Sequence, residues 1–159
     1  MRATITLSVV VVLLLCWTGL RAQTAGGGQA AARVARHTAP ADRALDIPQT
    51  ALQAEFAEMA AKKLITTRLI EGGTYSLNTR RIVGSEPAQV HKSIIEFYFV
   101  REGTATLVTG GTLADGTIRG GVERIVRPGD VVFIPPGVPH AIRDTAGISY
   151  LNIHFGGTD

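Results

Sequence analysis

The pattern of hydrophobic and polar positions changes character three times along the chain. Ala3 to Leu20 contain no charged side chain and include the run Val9-Val10-Val11-Val12-Leu13-Leu14-Leu15, shortly after Met1-Arg2. A basic start followed by a short apolar stretch is the layout of a secretory signal, so residues 1–22 are expected to be a signal peptide ending at Ala22. Retained, the same run is just long enough to anchor the chain in a bilayer through residues 3–20. The remainder is expected to be exported, periplasmic or secreted. Residues 23–44 (QTAGGGQAAARVARHTAPADRA) lack any hydrophobic period and are rich in Ala and Gly, which reads as a flexible linker with His37 as a solvated side chain.

From Asp46 the period becomes helical. Leu52, Phe56, Met59, Ala60 and Leu64 recur three and four residues apart, predicting one amphipathic helix within 45–64. Asp46 is placed to cap it, Pro48 suits an early position, and Lys62-Lys63 suit the C-terminal end, where cations meet the negative pole of the helix. Beyond Ile65 the texture is β. The runs 65–71, 74–83, 94–102, 105–110, 116–121, 123–127, 130–135 and 149–155 are separated by Gly, Pro or Asp turns, and GGTLADGTIRGG reads as an extended hairpin. Residues 65–159 are therefore expected to form one all-β domain, a sandwich or small barrel, preceded by the single helix.

Charge changes the picture less than the total suggests. Sixteen Lys and Arg against thirteen Asp and Glu give +3, but Arg2 and Arg21 flank the leader. The chain after residue 22 is nearly neutral, without the basic footprint that binding nucleic acid or an anionic membrane requires, so neither is expected as a partner unless the leader persists as an anchor. The only cysteine, Cys16, lies inside the leader. Its removal excludes disulfides, thiolate nucleophiles and Cys-ligated metals from the mature protein.

The chemistry then falls to three histidines in the β region, His91, His140 and His154. His91 opens HKSIIEFYFVREG, with Glu96 five residues on and Gly103 at its end. His140 closes GDVVFIPPGVPH, in which Gly129, Pro135 and Gly137 precede it at fixed offsets. These two stretches resemble the paired motifs of the cupin superfamily. Gly129, Pro135, Gly137 and His140 match the second motif, with Asp144 where Asn is usual. His91, Glu96 and Gly103 match the first, but Gln89 stands at its first histidine position and Gly84 is one residue out of register.

The resemblance implies a double-stranded β-helix, the cupin or jelly-roll barrel, with His91, Glu96 and His140 pointing inward to bind one divalent metal ion. Two imidazoles and a carboxylate suit Mn, Fe, Zn or Ni and leave positions open for a small molecule. Glu96 is the best candidate for a catalytic role. Cupin chemistry includes dioxygenases, isomerases and lyases, so the resemblance leaves the reaction open; a non-catalytic binder or a structural barrel is the alternative. Such barrels commonly form homodimers.

Strand parity supplies further candidates. Gln89 shares a face with His91 and can ligate, hold a bound water, or do neither. Tyr98 and Val100 share the face of Glu96. Tyr150, Asn152 and His154 share a face of the last strand, where His154 either reaches the cavity, as a base or substrate contact, or remains a partly exposed strand residue. Arg80 and Arg81 face opposite ways, so only one can enter the barrel; each taken alone reads as solvated. Arg143 is a candidate guard of the rim.

Overall fold

The computed structural model describes residues 35–156. The expected signal or anchor, Cys16 and residues 23–34 of the expected linker lie outside the described residues. Eleven strands and one helix follow in the order β1 (His37–Thr38), α1 (Gln49–Lys62), β2 (Thr66–Glu71), β3 (Tyr75–Gly84), β4 (Ile95–Glu102), β5 (Ala105–Thr109), β6 (Thr112–Ala114), β7 (Thr117–Arg119), β8 (Val122–Val126), β9 (Val131–Ile134), β10 (His140–Arg143) and β11 (Thr145–Phe155). Among the described residues, no helix is long and apolar enough to cross a membrane.

Alternation dictates how the strands pack. In β4 the even positions Glu96, Tyr98 and Val100 are buried while their neighbours are more exposed, and β9 repeats the pattern with Val132 and Ile134. A six-stranded sheet in the order β1-β2-β3-β11-β4-β9 carries these inward faces, and a three-stranded sheet, β10-β5-β8, lies opposite. Ile82, Tyr98, Leu107, Ile142, Ile148 and Tyr150 belong to the one apolar cluster between them. All pairings are antiparallel except that of β1 with β2. The expected hairpin is present as β6 and β7. The expected strands omit β1, two residues in the stretch read as linker, and β10, four residues directly after the Pro-rich turn.

The helix is shorter than its expected span. Pro48 occupies the N-cap with φ −65° and ψ 154°, and no side chain caps the end, so Asp46 does not take the role its position suggests. Phe56 and Met59 are buried, while Ala60 and Leu64 of the same stripe are exposed. Burial of those two side chains stabilises the docked helix by about 1.5–3 kcal/mol each. Part of the expected linker is also tied down. Arg36 N–H donates to Arg68 C=O at 2.9 Å and Ala39 N–H to Glu71 C=O at 2.8 Å, while the Arg36 guanidinium lies 3.2 Å from Glu55 and 3.0 Å from Glu58 on the helix. His37, as expected, is exposed.

Two motif positions are set by the backbone. Gly103 adopts φ +73°, and a Cβ there would lie 1.8 Å from Gly147 O, inside the turn that joins β4 to β5. Asp144, between β10 and β11, adopts φ 54°, a left-handed conformation that Asn and Asp tolerate, which accounts for either residue at that motif position. Gly103→Ala should cost more than about 2 kcal/mol, adding a backbone clash to the left-handed penalty. Gly116→Ala, at φ +72° with open space around it, should cost about 1–2 kcal/mol. Chemical denaturation of the two variants checks the order, and equal losses would refute the clash.

Candidate metal centre

Glu96 is the centre of the site. Its position on β4 turns the carboxylate into the barrel, where it is 3% exposed. Ionised, such a group is costly to bury without partners. Three imidazoles and one amide surround it. His91 Nε2 lies 3.1 Å and His140 Nε2 3.2 Å from Oε1, while His154 Nε2 lies 3.2 Å from Oε2 and Asn152 Nδ2 donates to Oε2 at 2.7 Å. Burial alone would raise the Glu96 carboxyl; attraction to His140 and His154 outweighs it and holds the group well below the usual carboxylate range. Among the described residues, Glu96 pairs with no arginine.

The backbone places each imidazole. The Pro135–Pro139 turn delivers His140 at the start of β10, and Gly137 N–H donates to His91 C=O at 2.7 Å, so the same turn also fixes His91. Gln89 and His140 exchange hydrogen bonds, each N–H donating to the other's C=O at 2.9 Å. His154 is the Cα partner of Glu96 across β11 and β4, and Asn152 is the partner of Tyr98.

His140 sets the polarity of the cluster. Its Nδ1 lies 3.0 Å from Val138 C=O, which can only accept, so Nδ1 carries the proton. In the neutral ring Nε2 then presents a lone pair to Glu96 Oε1, itself buried and without a hydrogen-bond donor. Two lone pairs converging in a buried site call for a cation between them. Burial would lower the His140 pKa, but the neighbouring Glu96 carboxylate raises it above the ordinary histidine value: the same demand met by a proton.

The donor set fits a metal ion. One atom each from His91, Glu96 and His140 lie within 4.8 Å of one another. Ligands at adjacent positions of a divalent ion with bonds of about 2.1 Å stand about 3.0 Å apart, close to the separations at Oε1.

A cavity of about 130 Å³ opens beside the cluster, lined by Thr66, Asn78, Arg80, Gln89, His91, Glu96, Tyr98, Asn152 and His154. Gln89, Tyr98 and His154 thus all reach it. Tyr98 is buried with its ring 4.7 Å from that of Tyr150 and edge-on to His140 at 6.3 Å. Of the two arginines, Arg80 faces the cavity, which overturns the solvated reading. It donates to Thr66 Oγ1 at 2.6 Å and to Tyr150 Oη at 3.4 Å, and pairs with Glu86. Burial would lower its pKa, but Tyr150 and Glu86 outweigh that and keep it charged. Arg81 borders a separate recess with Lys63 and Val83. Arg143 lies 3.1 Å from exposed Glu123 and does not line the cavity.

Asn152 and Asn78 were accessible to parity, each two residues from another cavity residue, but polar strand residues carry no mark of their role. Glu86 lies in an irregular segment between β3 and β4, where no period exists to assign it an orientation.

Two facing, mainly antiparallel sheets with a His/Glu/His cluster at their core define a small double-stranded β-helix protein with a candidate metal centre. The family model described as Cupin domain matches residues 83–150, which contain both motif stretches and the His91, Glu96 and His140 cluster, in agreement with the resemblance to the cupin superfamily. BH2720 from Bacillus halodurans is 17% identical with a TM-score of 0.57, over 75% of this chain and 86% of that one. An RmlC-like cupin family protein with a double-stranded β-helix fold from Methanocaldococcus jannaschii is 12% identical with a TM-score of 0.46, over 58% and 79%. TT1209 from Thermus thermophilus is 18% identical with a TM-score of 0.48, over 58% and 83%. No curated protein matches the sequence.

The Arg80–Glu86 pair has a measurable signature. With side chains 14% and 9% exposed, removing one partner by Glu86→Ala leaves a buried charge and should cost about 3–5 kcal/mol. The double replacement Arg80→Met with Glu86→Leu should cost substantially less in urea denaturation; equal losses would show that the pair's charges are not what matters.

Proposed function

We propose that this protein is an exported metal-dependent cupin, holding one divalent cation between His91, Glu96 and His140 and acting on a small molecule in the adjoining cavity. The observation that carries the reading is the buried Glu96 Oε1, which faces two imidazole nitrogens at 3.1 and 3.2 Å. A bound Mn, Fe, Zn or Ni ion would supply Lewis acidity and open positions for the small molecule. Asn152 holds the other carboxylate oxygen and so fixes the orientation of Glu96. Gln89, Asn78 and Arg80 present polar groups to the entering molecule, and Tyr98 stays a neutral phenol because burial raises its pKa well above the usual value. A non-catalytic holder of a small ligand is the second reading. Its support is that Arg80 and Glu86, both charged candidates for proton transfer, are committed to each other.

Protein expressed with its leader, recovered outside the cytoplasm and beginning at Gln23, should carry one equivalent of divalent metal by elemental analysis. His91→Ala and His140→Ala should each weaken binding by at least about 100-fold, more than loss of a residue that only supports a ligand. Equal metal in all three proteins would overturn the site. Because His140 must lose its competing proton, and its pKa is raised, affinity should be full above that pKa and fall about tenfold per pH unit below it. A titration flat between pH 8 and pH 5 would refute the role of His140.

We also propose a homodimer through the outer face of β4 and β9. Phe97 clusters there with Phe133 at 5.2 Å and Phe155 at 6.1 Å, while Val131 and Phe133 of the edge strand are 60% and 55% exposed. An apolar patch on a sheet edge favours association with a second copy. Light scattering at micromolar concentration should give a dimer for the wild type and a monomer for Phe133→Asp; a monomeric wild type would refute the interface.

A further inference from the structure

We infer that His154 is a third imidazole ligand of the proposed metal centre, supplied by the last strand in place of the histidine absent at position 89. The inference rests on the metal reading above and extends it to a residue outside the His91, Glu96 and His140 group.

The geometry around Glu96 is two-sided. His140 stands against Oε1 and His154 against Oε2, each with Nε2 at 3.2 Å. The rings of His140 and His154 flank His91 at the same centroid distance, 5.7 Å. An imidazole thus stands beside each carboxylate oxygen, with the His91 ring equally near both.

The pairing register enforces the approach. His154 and Glu96 are direct Cα partners in β11 and β4, so their side chains rise from the same face of the sheet. His154 is 23% exposed at the side chain, similar to His91 at 22%, and both border the cavity.

His154 is not the sole donor available to the second carboxylate oxygen. Asn152 Nδ2 already donates to Oε2 at 2.7 Å, so that oxygen has its hydrogen bond without an imidazole N–H. Gln89 lines the cavity but offers only an amide, a weaker donor to a borderline metal than imidazole nitrogen. A third neutral imidazole completes a four-residue set without adding charge to the interior.

The experiment is X-ray absorption on the untagged full chain loaded with Zn(II) alone, which counts coordinated imidazoles from outer-shell scattering, together with Zn(II) affinity by competition with a chelating dye. The wild type should show three imidazoles. His154→Gln, which keeps an N–H donor for Oε2, should show two and bind Zn(II) at least about tenfold more weakly. His154→Ala, read by circular dichroism for folding, should behave the same way. Two imidazoles in the wild type, unchanged in His154→Gln, would overturn this inference while leaving the His91, Glu96 and His140 site standing. A wild type that takes up no Zn(II) would overturn both.

Discussion

A carboxylate held inside a small β barrel is the constraint on which the rest of this structure depends. Glu96 cannot remain ionised there without compensation, and the compensation comes from elements distant in the chain: His91 before β4, His140 at the start of β10, and Asn152 and His154 on β11. Each partner arrives only if the register between β4 and β11 is correct and the Pro135–Pro139 turn reaches back to His91. A slip of one residue in β11 would turn Asn152 and His154 out of the barrel together. Site and fold are therefore mutually dependent, because the geometry that closes the barrel also gathers the partners of its buried carboxylate.

A second buried charge follows the same logic with a different solution. Arg80 and Glu86 meet beside the cavity, supported by Thr66 and Tyr150. Around Glu96 the partners are imidazoles that can take up a proton or hold a cation, whereas around Arg80 the charge is already matched. The contrast separates a cluster that calls for a cation from one that is internally satisfied.

Much of the architecture was legible because alternation survives in long strands. In β3, β4 and β11, of ten, eight and eleven residues, enough inward and outward positions accumulate to reveal the period. Strands β1 and β10 are too short for that, and β1 forms only because a stretch without hydrophobic period finds an open edge at β2. The helix was legible from Phe56 and Met59, but its start was not: Pro48 takes the cap that Asp46 was positioned to provide. The identities of His91, Glu96 and His140 followed from motif spacing. Neither arginine could be placed inside from spacing alone, since parity requires only that Arg80 and Arg81 differ.

The sequence by itself determined the resemblance to the cupin fold, the inward face of the long strands and the three candidate ligands His91, Glu96 and His140, because these depend on spacing within segments of a few residues. Tertiary structure decided that Arg80 rather than Arg81 enters the barrel, that Glu86 meets it, and that His154 stands against the second oxygen of Glu96. Those outcomes depend on which strands become neighbours and in what register. His154 and Glu96 are fifty-eight residues apart in sequence, and only the pairing of β11 with β4 makes them opposite.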